Sequence, residues 1–240
     1  GDCTLGGESK AANSRGGFVQ TALREGYDYP FLNLQSLLDG DDVTVVNLEG
    51  VLTDRTLDRV KKTFNFKGPA DFATILPLGG VELAGLSNNH TLDYGQTGYD
   101  STVKTLKEAN VPFVERDGTC LLTLNTGLKV GLYGMVYYDL NRQAMEDSIS
   151  DLQSQGADLI VVAPHWGVEG SYRPTQEQMD LAHAAIDAGA DIVWGSHPHV
   201  LQGLEYYKGK PIVYSLGNFV FGSSIPRTAL LTVVWDGEES

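Results

Sequence analysis

The segment Gly195-Ser196-His197-Pro198-His199 sets two imidazoles two residues apart. On extended backbone, side chains at i and i+2 project to the same side. Pro198 disfavours the helical region for His197, so the expectation is an extended segment. Such a segment would aim both rings at one metal ion, or at two ions about 3.5–4 Å apart. The alternative is a surface loop with two solvated histidines.

Three further segments carry compatible donors. Ser87-Asn88-Asn89-His90-Thr91-Leu92-Asp93 offers Asn89 as a neutral oxygen ligand, His90 as an acid/base and Asp93 to hold His90 in one tautomer. The competing reading is a helix N-cap, with Asn88 or Asn89 capping and Asp93 favouring the dipole. Asn47-Leu48-Glu49-Gly50 places a carboxylate after a hydrophobic run, where it could bridge two cations. Pro164-His165-Trp166-Gly167 adds an imidazole, and Gly1-Asp2 another oxygen. Three histidines, an asparagine and two carboxylates suit a Zn, Mn or Fe pair doing hydrolysis better than a closed structural zinc site. Divalent ions lower the pKa of a water that attacks in line, and His90 would protonate the leaving oxygen. His183, in the middle of a helix-like stretch, reads as structural or solvated.

These residues need scaffolding that brings loops together, and the pattern supplies it. Short β-branched runs at 43–46, 81–86, 159–163 and 192–194 read as strands, each followed by one of the polar loops above. Helix-like stretches fall at 31–38, 69–78, 98–109, 145–155 and 174–188, the last opening on Pro174 and stopping at Gly189. Segments 119–133 and 201–215 read as hairpins around Asn125-Thr126-Gly127 and Lys208-Gly209. Alternating strands and helices with hairpins predict an α/β protein with a mixed sheet system, doubled into a sandwich. No G-x-G-x-x-G or P-loop opens a helix, which counts against a nucleotide cofactor or a kinase.

The 240 residues fit one domain, expected to span 1–240. With 31 Asp+Glu against 17 Lys+Arg, the net charge is −14, which argues against nucleic acid and against a polybasic membrane surface. Two cysteines, Cys3 and Cys120, define no disulfide framework; they could form one bridge or stay free. No apolar run approaches the roughly 18 residues of a membrane span, and no signal peptide is present. The abrupt start at Gly1-Asp2 suggests that an upstream segment, including a first strand, has been removed.

Taken in order, Gly1-Asp2-Cys3-Thr4-Leu5-Gly6, Asn47 to Gly50, Asn88 to Gly95, His165-Trp166-Gly167-Val168-Glu169, Gly189-Ala190-Asp191, Gly195 to Val200 and Tyr214 to Phe219 resemble the bacterial capsule-synthesis CapA family, also called the poly-γ-glutamate capsule family. That family in turn resembles the calcineurin-like metallophosphoesterases. The resemblance implies a four-layer αββα sandwich of two mixed sheets with one or two divalent metal ions (Mn, Zn or Fe). One ion would take Asp2, Glu49 and His199; the other Glu49, Asn89, His165 and His197, with Glu49 bridging. His90 would be the acid, oriented by Asp93. It also implies an extracytoplasmic protein, anchored to the membrane through a segment outside this chain. The implied substrate is poly-γ-glutamate or a phosphoester, with membrane-bound capsule synthesis subunits as partners. The broader phosphoesterases begin Asp-x-His, whereas this chain has Asp2-Cys3-Thr4, so the first metal lacks the histidine ligand of that motif.

Overall fold

A computed structural model describes residues 1–222, 227–235 and 237. The fold is α/β with mixed sheets, and the chain forms two compact units. The N-terminal unit comprises Cys3–Phe113 with Val220–Ser224; the C-terminal unit comprises Val114–Phe219, Ile225–Ser240 and Gly1–Asp2.

The N-terminal unit contains α1 (Ser9–Ala12), α2 (Phe18–Glu25), α3 (Gln35–Leu38), α4 (Ile75–Leu78) and α5 (Gly95–Glu108). Its central strands are β2 (Val45–Leu48) and β5 (Leu83–Gly85), which pair in parallel. With β1 (Asp2–Cys3), β6 (Phe113–Val114) and β13 (Asn218–Val220) they form a sheet in the order β13-β1-β2-β5-β6. A small parallel pair, β3 (Val51–Leu52) and β4 (Lys67–Gly68), lies beside α5, whose Thr102 Oγ1 accepts a hydrogen bond from the Leu52 amide. Leu48, Phe72, Ile75, Leu76, Leu86 and Leu106 are buried here. Gly68 has to lack a side chain, because a Cβ would lie 1.9 Å from the Leu5 carbonyl oxygen.

The C-terminal unit is built on a six-stranded sheet, order β11-β12-β10-β9-β8-β7. Its strands are β7 (Thr119–Thr123), β8 (Lys129–Val136), β9 (Leu159–His165), β10 (Ile192–Trp194), β11 (Leu204–Tyr207) and β12 (Lys210–Val213). The two expected hairpins are the antiparallel edges, β7–β8 and β11–β12; the centre is parallel. Along β9, Ile160 and Val162 enter one core and Leu159 and Val161 the other, so both faces are covered and the strand reads as continuously apolar. The larger core is closed by α6 (Arg142–Ser154) and α7 (Gln176–Ala188) through Met145, Ile149, Leu152, Leu181 and Ile186.

Local signals fix the ends of these helices. Asn141 caps α6 through Ala144, Thr175 and Gln178 form a capping box on α7, and Gly189 ends α7 in the left-handed region. The reading of a helix over 31–38 contracts to its last turn, α3, after a run of turns. That over 69–78 becomes a 3₁₀ turn at Ala70–Thr74 continuing into α4, and β1, α2, β3 and β4 carried no sequence signal. Cys3 and Cys120 are not joined by a disulfide.

His183 on α7 stacks on Tyr207 at 4.0 Å, and its Nε2 lies 2.5 Å from Glu205. The bond to His183 lowers the Glu205 carboxyl below its ordinary 4.5; burial opposes this, and the bond from Tyr214 adds to it. A depressed carboxyl stabilises above its ordinary pKa, and that contribution is lost as pH falls through the folded-state value. We therefore expect Glu205→Gln to lower the melting temperature near pH 6 and the deficit to close at a pH well below the ordinary carboxylate value. A deficit equal at both pH values would mean lost packing instead. Ile149→Ala, inside the larger core, should cost about 2–5 kcal/mol in denaturant unfolding.

Candidate metal centre

In the C-terminal unit, β9 delivers His165 at its last residue, and β10 ends one residue before Gly195-Ser196. The pairing runs past both strand ends, with Trp166 donating to the Ser196 carbonyl and Ser196 to that of Pro164, each at 3.0 Å. Gly195 must be glycine: a Cβ would meet the Tyr214 carbonyl at 2.2 Å and Trp166 Nε1 at 2.3 Å. That indole, fully buried, donates to the same Tyr214 carbonyl at 3.0 Å. The packing therefore fixes where the chain turns into the histidines.

The turn itself differs from the expected extended segment. His197 and His199 both lie at positive φ, +97° and +58°, a region that non-glycine residues rarely enter. Proline removes the helical option for His197, but tertiary bonds choose what replaces it: the Gly170 amide donates to the Pro198 carbonyl at 2.9 Å, and the His197 amide to Asp2 Oδ2 at 3.4 Å. Non-glycine residues held in such regions cost on the order of 1–3 kcal/mol each and cluster where a site needs them.

The result is a compact group of rings. His165 and His197 have centroids 4.7 Å apart, His197 and His199 6.0 Å, and Tyr137 stacks on His197 at 4.9 Å. His165 Nδ1 is held by Ser196 Oγ at 3.0 Å. His199 Nδ1 is held by Asn218 Oδ1 at 2.8 Å and lies 3.2 Å from Asp2 Oδ2. Asp2 is fully buried, and its amide donates to the Gly217 carbonyl at 3.0 Å. Burial lowers the pKa of His199, but the bond and charge of Asp2, the bond to Asn218 and the charge of Glu169 outweigh it, so the net shift is upward.

The donor set fits a divalent cation. Ligating imidazoles commonly fix one nitrogen through an outer partner while the other faces the ion, and His165 and His199 each have such a partner at Nδ1. Side-chain ligand atoms of Glu169, His197 and His199 also lie within 4.8 Å of one another.

The N-terminal unit gathers the other expected residues. Asn47 Nδ2 donates to Glu49 Oε1 at 2.9 Å, and Asn88 Nδ2 donates to Asn47 Oδ1 at 3.0 Å and the Leu48 carbonyl at 2.8 Å. Asn88 Oδ1 accepts from the His90 amide and Thr91 Oγ1. Asn88 is therefore a buried tie between the end of β2 and the His90 loop and not a helix cap, and α5 starts only at Gly95. Asp93 does not cap it either: Oδ2 lies 2.8 Å from His90 Nδ1 and accepts from the Phe66 amide at 2.5 Å. Asn89 is half-buried, its carbonyl accepting from Lys62 Nζ at 2.9 Å.

Lys62 and Phe66 were not legible in the sequence. Lys62 Nζ also pairs with Asp93 Oδ1 at 2.6 Å, and Phe66 stacks on His90 at 4.0 Å. Both lie in 54–67, a stretch without periodicity or motif. A lysine and an aromatic residue in a loop give no signal until the partner about 30 residues away is in place.

The protein is thus of the α/β class with mixed sheets, with histidines at strand ends and a buried carboxylate among them. The family model for the bacterial capsule synthesis protein PGA_cap matches residues 1–119 and 115–223, and the chain belongs to that family. It is 33% identical over 232 residues to the capsule biosynthesis protein CapA of Bacillus anthracis, covering 85% of this chain and 56% of that one. It is 29% identical to the PGA biosynthesis protein CapA of Bacillus subtilis, covering 85% and 60%. A probable polyglutamine synthesis accessory protein of Mycobacterium tuberculosis is 27% identical, covering 75% and 55%. The chain thus spans little more than half the length of these curated relatives. Among solved structures, Thermus thermophilus sulfate thiohydrolase SoxB is similar with a TM-score of 0.49 and 14% identity, over 83% of this chain and 40% of that one.

Asp93 is fully buried and depends on Lys62 for charge compensation. Lys62→Ala should lower unfolding free energy by about 1.5–3 kcal/mol, the range for a hydrogen bond to a charged group. An unchanged denaturant midpoint would show that water replaces the ammonium without loss.

Proposed function

We propose that this protein is a metal-dependent hydrolase of capsule or poly-γ-glutamate metabolism, with a phosphoester or a polymer amide bond as substrate. The observation that carries the reading is the cluster of His165, His197 and His199 around buried Asp2, two of the rings bonded at Nδ1 by outer partners. These residues, with Glu49 and Asn89 as the resemblance assigns them, would hold one or two divalent ions, Mn, Zn or Fe. When bound, the ions supply Lewis acidity and an activated water. His90 donates a proton to the leaving oxygen, while Asp93 fixes its tautomer from Nδ1 and Phe66 fixes its ring plane.

The reading takes residues 1–240 as one functional domain, in the four-layer arrangement that the family resemblance implies. It places the protein outside the cytoplasm, anchored by a segment beyond these residues and working beside membrane-bound synthesis subunits. Among the described residues no helix is long and apolar enough to cross a membrane. The net charge of −14 would repel a polyanion from most of the surface, so a polyglutamate chain would approach through bound cations.

A second reading is an accessory role in polymer assembly or export without catalysis. The sequence Asp2-Cys3-Thr4 favours it, because the first metal position lacks its usual histidine.

Purified protein should carry one or two equivalents of Mn or Zn by elemental analysis, and His197→Ala should lose at least one. Hydrolysis of a model phosphodiester or of poly-γ-glutamate should fall on the order of 100-fold or more in His90→Ala with metal content unchanged. Activity unaffected by either substitution would sink the catalytic reading. Full rescue of capsule by a His197→Ala gene in a deletion strain would establish the accessory one.

A further inference from the structure

The ligand set implied by the family resemblance leaves out Glu169, yet its carboxylate lies with His197 and His199 in one group whose ligand atoms are within 4.8 Å of one another. Glu169 is exposed, so the question is whether its loop holds it there. Gly167 and Gly170, at φ +83° and +74°, bracket it in a tight turn, and a Cβ on Gly167 would lie 2.5 Å from Gln178 Oε1. The Gly170 amide donates to the Pro198 carbonyl, tying the loop to the residue between the two histidines at 2.9 Å. Gln202 Nε2 donates to the Ser171 carbonyl at 2.8 Å, and Gln178 Nε2 donates to Gln202 Oε1 at 3.0 Å. The loop is therefore anchored to the histidine turn at one point and, through two glutamines, to the start of α7.

We propose that Glu169 is a ligand of the metal centre, an oxygen donor that takes the place of the histidine absent from Asp2-Cys3-Thr4. The inference rests on the metal-site reading above and extends it to metal selectivity. Replacing an imidazole by a carboxylate adds a negative charge and a harder donor. Carboxylate oxygens suit Mn²⁺, whereas imidazole suits Zn²⁺. The centre should therefore hold Mn²⁺ more tightly than a site with an additional histidine would.

The test is calorimetric titration of metal-free protein with Mn²⁺ and with Zn²⁺, alongside electron paramagnetic resonance of the Mn²⁺ form. Glu169→Gln should weaken Mn²⁺ binding by about 10-fold or more, since loss of even an outer partner of a ligand costs about 10- to 100-fold. It should also change the Mn²⁺ spectrum, while the melting temperature in EDTA matches the parent protein. Glu169→Asp should recover part of the loss, and Glu169→His should recover Zn²⁺ affinity ahead of Mn²⁺. Unchanged affinity and spectrum in Glu169→Gln, with the parent protein binding metal, would overturn the role of Glu169 and leave the metal site standing. A parent protein that binds neither ion would overturn both.

Discussion

The turn Gly195 to His199 is the constraint on which the C-terminal unit depends. Two histidines at positive φ are a local cost that the peptide alone would not accept. The cost is met by packing: Trp166 fills the space beneath Gly195 and bonds the Tyr214 carbonyl, leaving room for a glycine and nothing larger. The parallel ladder between β9 and β10 then sets His165 beside Ser196, and Ser196 Oγ turns the His165 ring. Remove the indole and the strand ends lose the register that brings three imidazoles together.

The N-terminal unit solves a different problem, that of keeping several polar side chains dry. Asn47, Glu49, Asn88, His90 and Asp93 are all buried. Isolated, each would carry a desolvation penalty of roughly 1–3 kcal/mol or more. Here they are linked through Asn88, whose side chain reaches both Asn47 and Leu48 at the end of β2 and the amide of His90. Such a network fixes orientation, because no member can rotate without stranding another. Lys62, partly exposed and from a segment otherwise rich in polar residues, supplies a cation to Asp93.

The acidic composition takes on meaning beside these two sites. Asp2 and Glu169 place carboxylates among histidines, and Asp93 sets one between Lys62 and His90. The rest of the excess charge is solvated surface. Membership of the capsule-synthesis family sets the biological field, and the chain spans little more than half the length of its curated relatives.

By itself the sequence determined the elements and the chemical inventory. Apolar runs with β-branched residues marked β2, β5, β9 and β10, turn residues marked both hairpins, and Pro174 and Gly189 bounded α7 to within two residues. These are local signals, because β-branched apolar runs, turn residues and helix caps are written within a few residues. The polar residues after each strand were legible for the same reason, since strand ends face loops. The conformation of the histidine turn was not: the effect of a proline on its neighbour is local, and bonds from Gly170 and Asp2 overruled the extended expectation. Lys62, Phe66, Asn218 and Glu169 acquire their meaning only when partners 19 to 31 residues away are brought alongside. Distance along the chain hides such pairs, and only the folded backbone decides which charged or amide side chains meet.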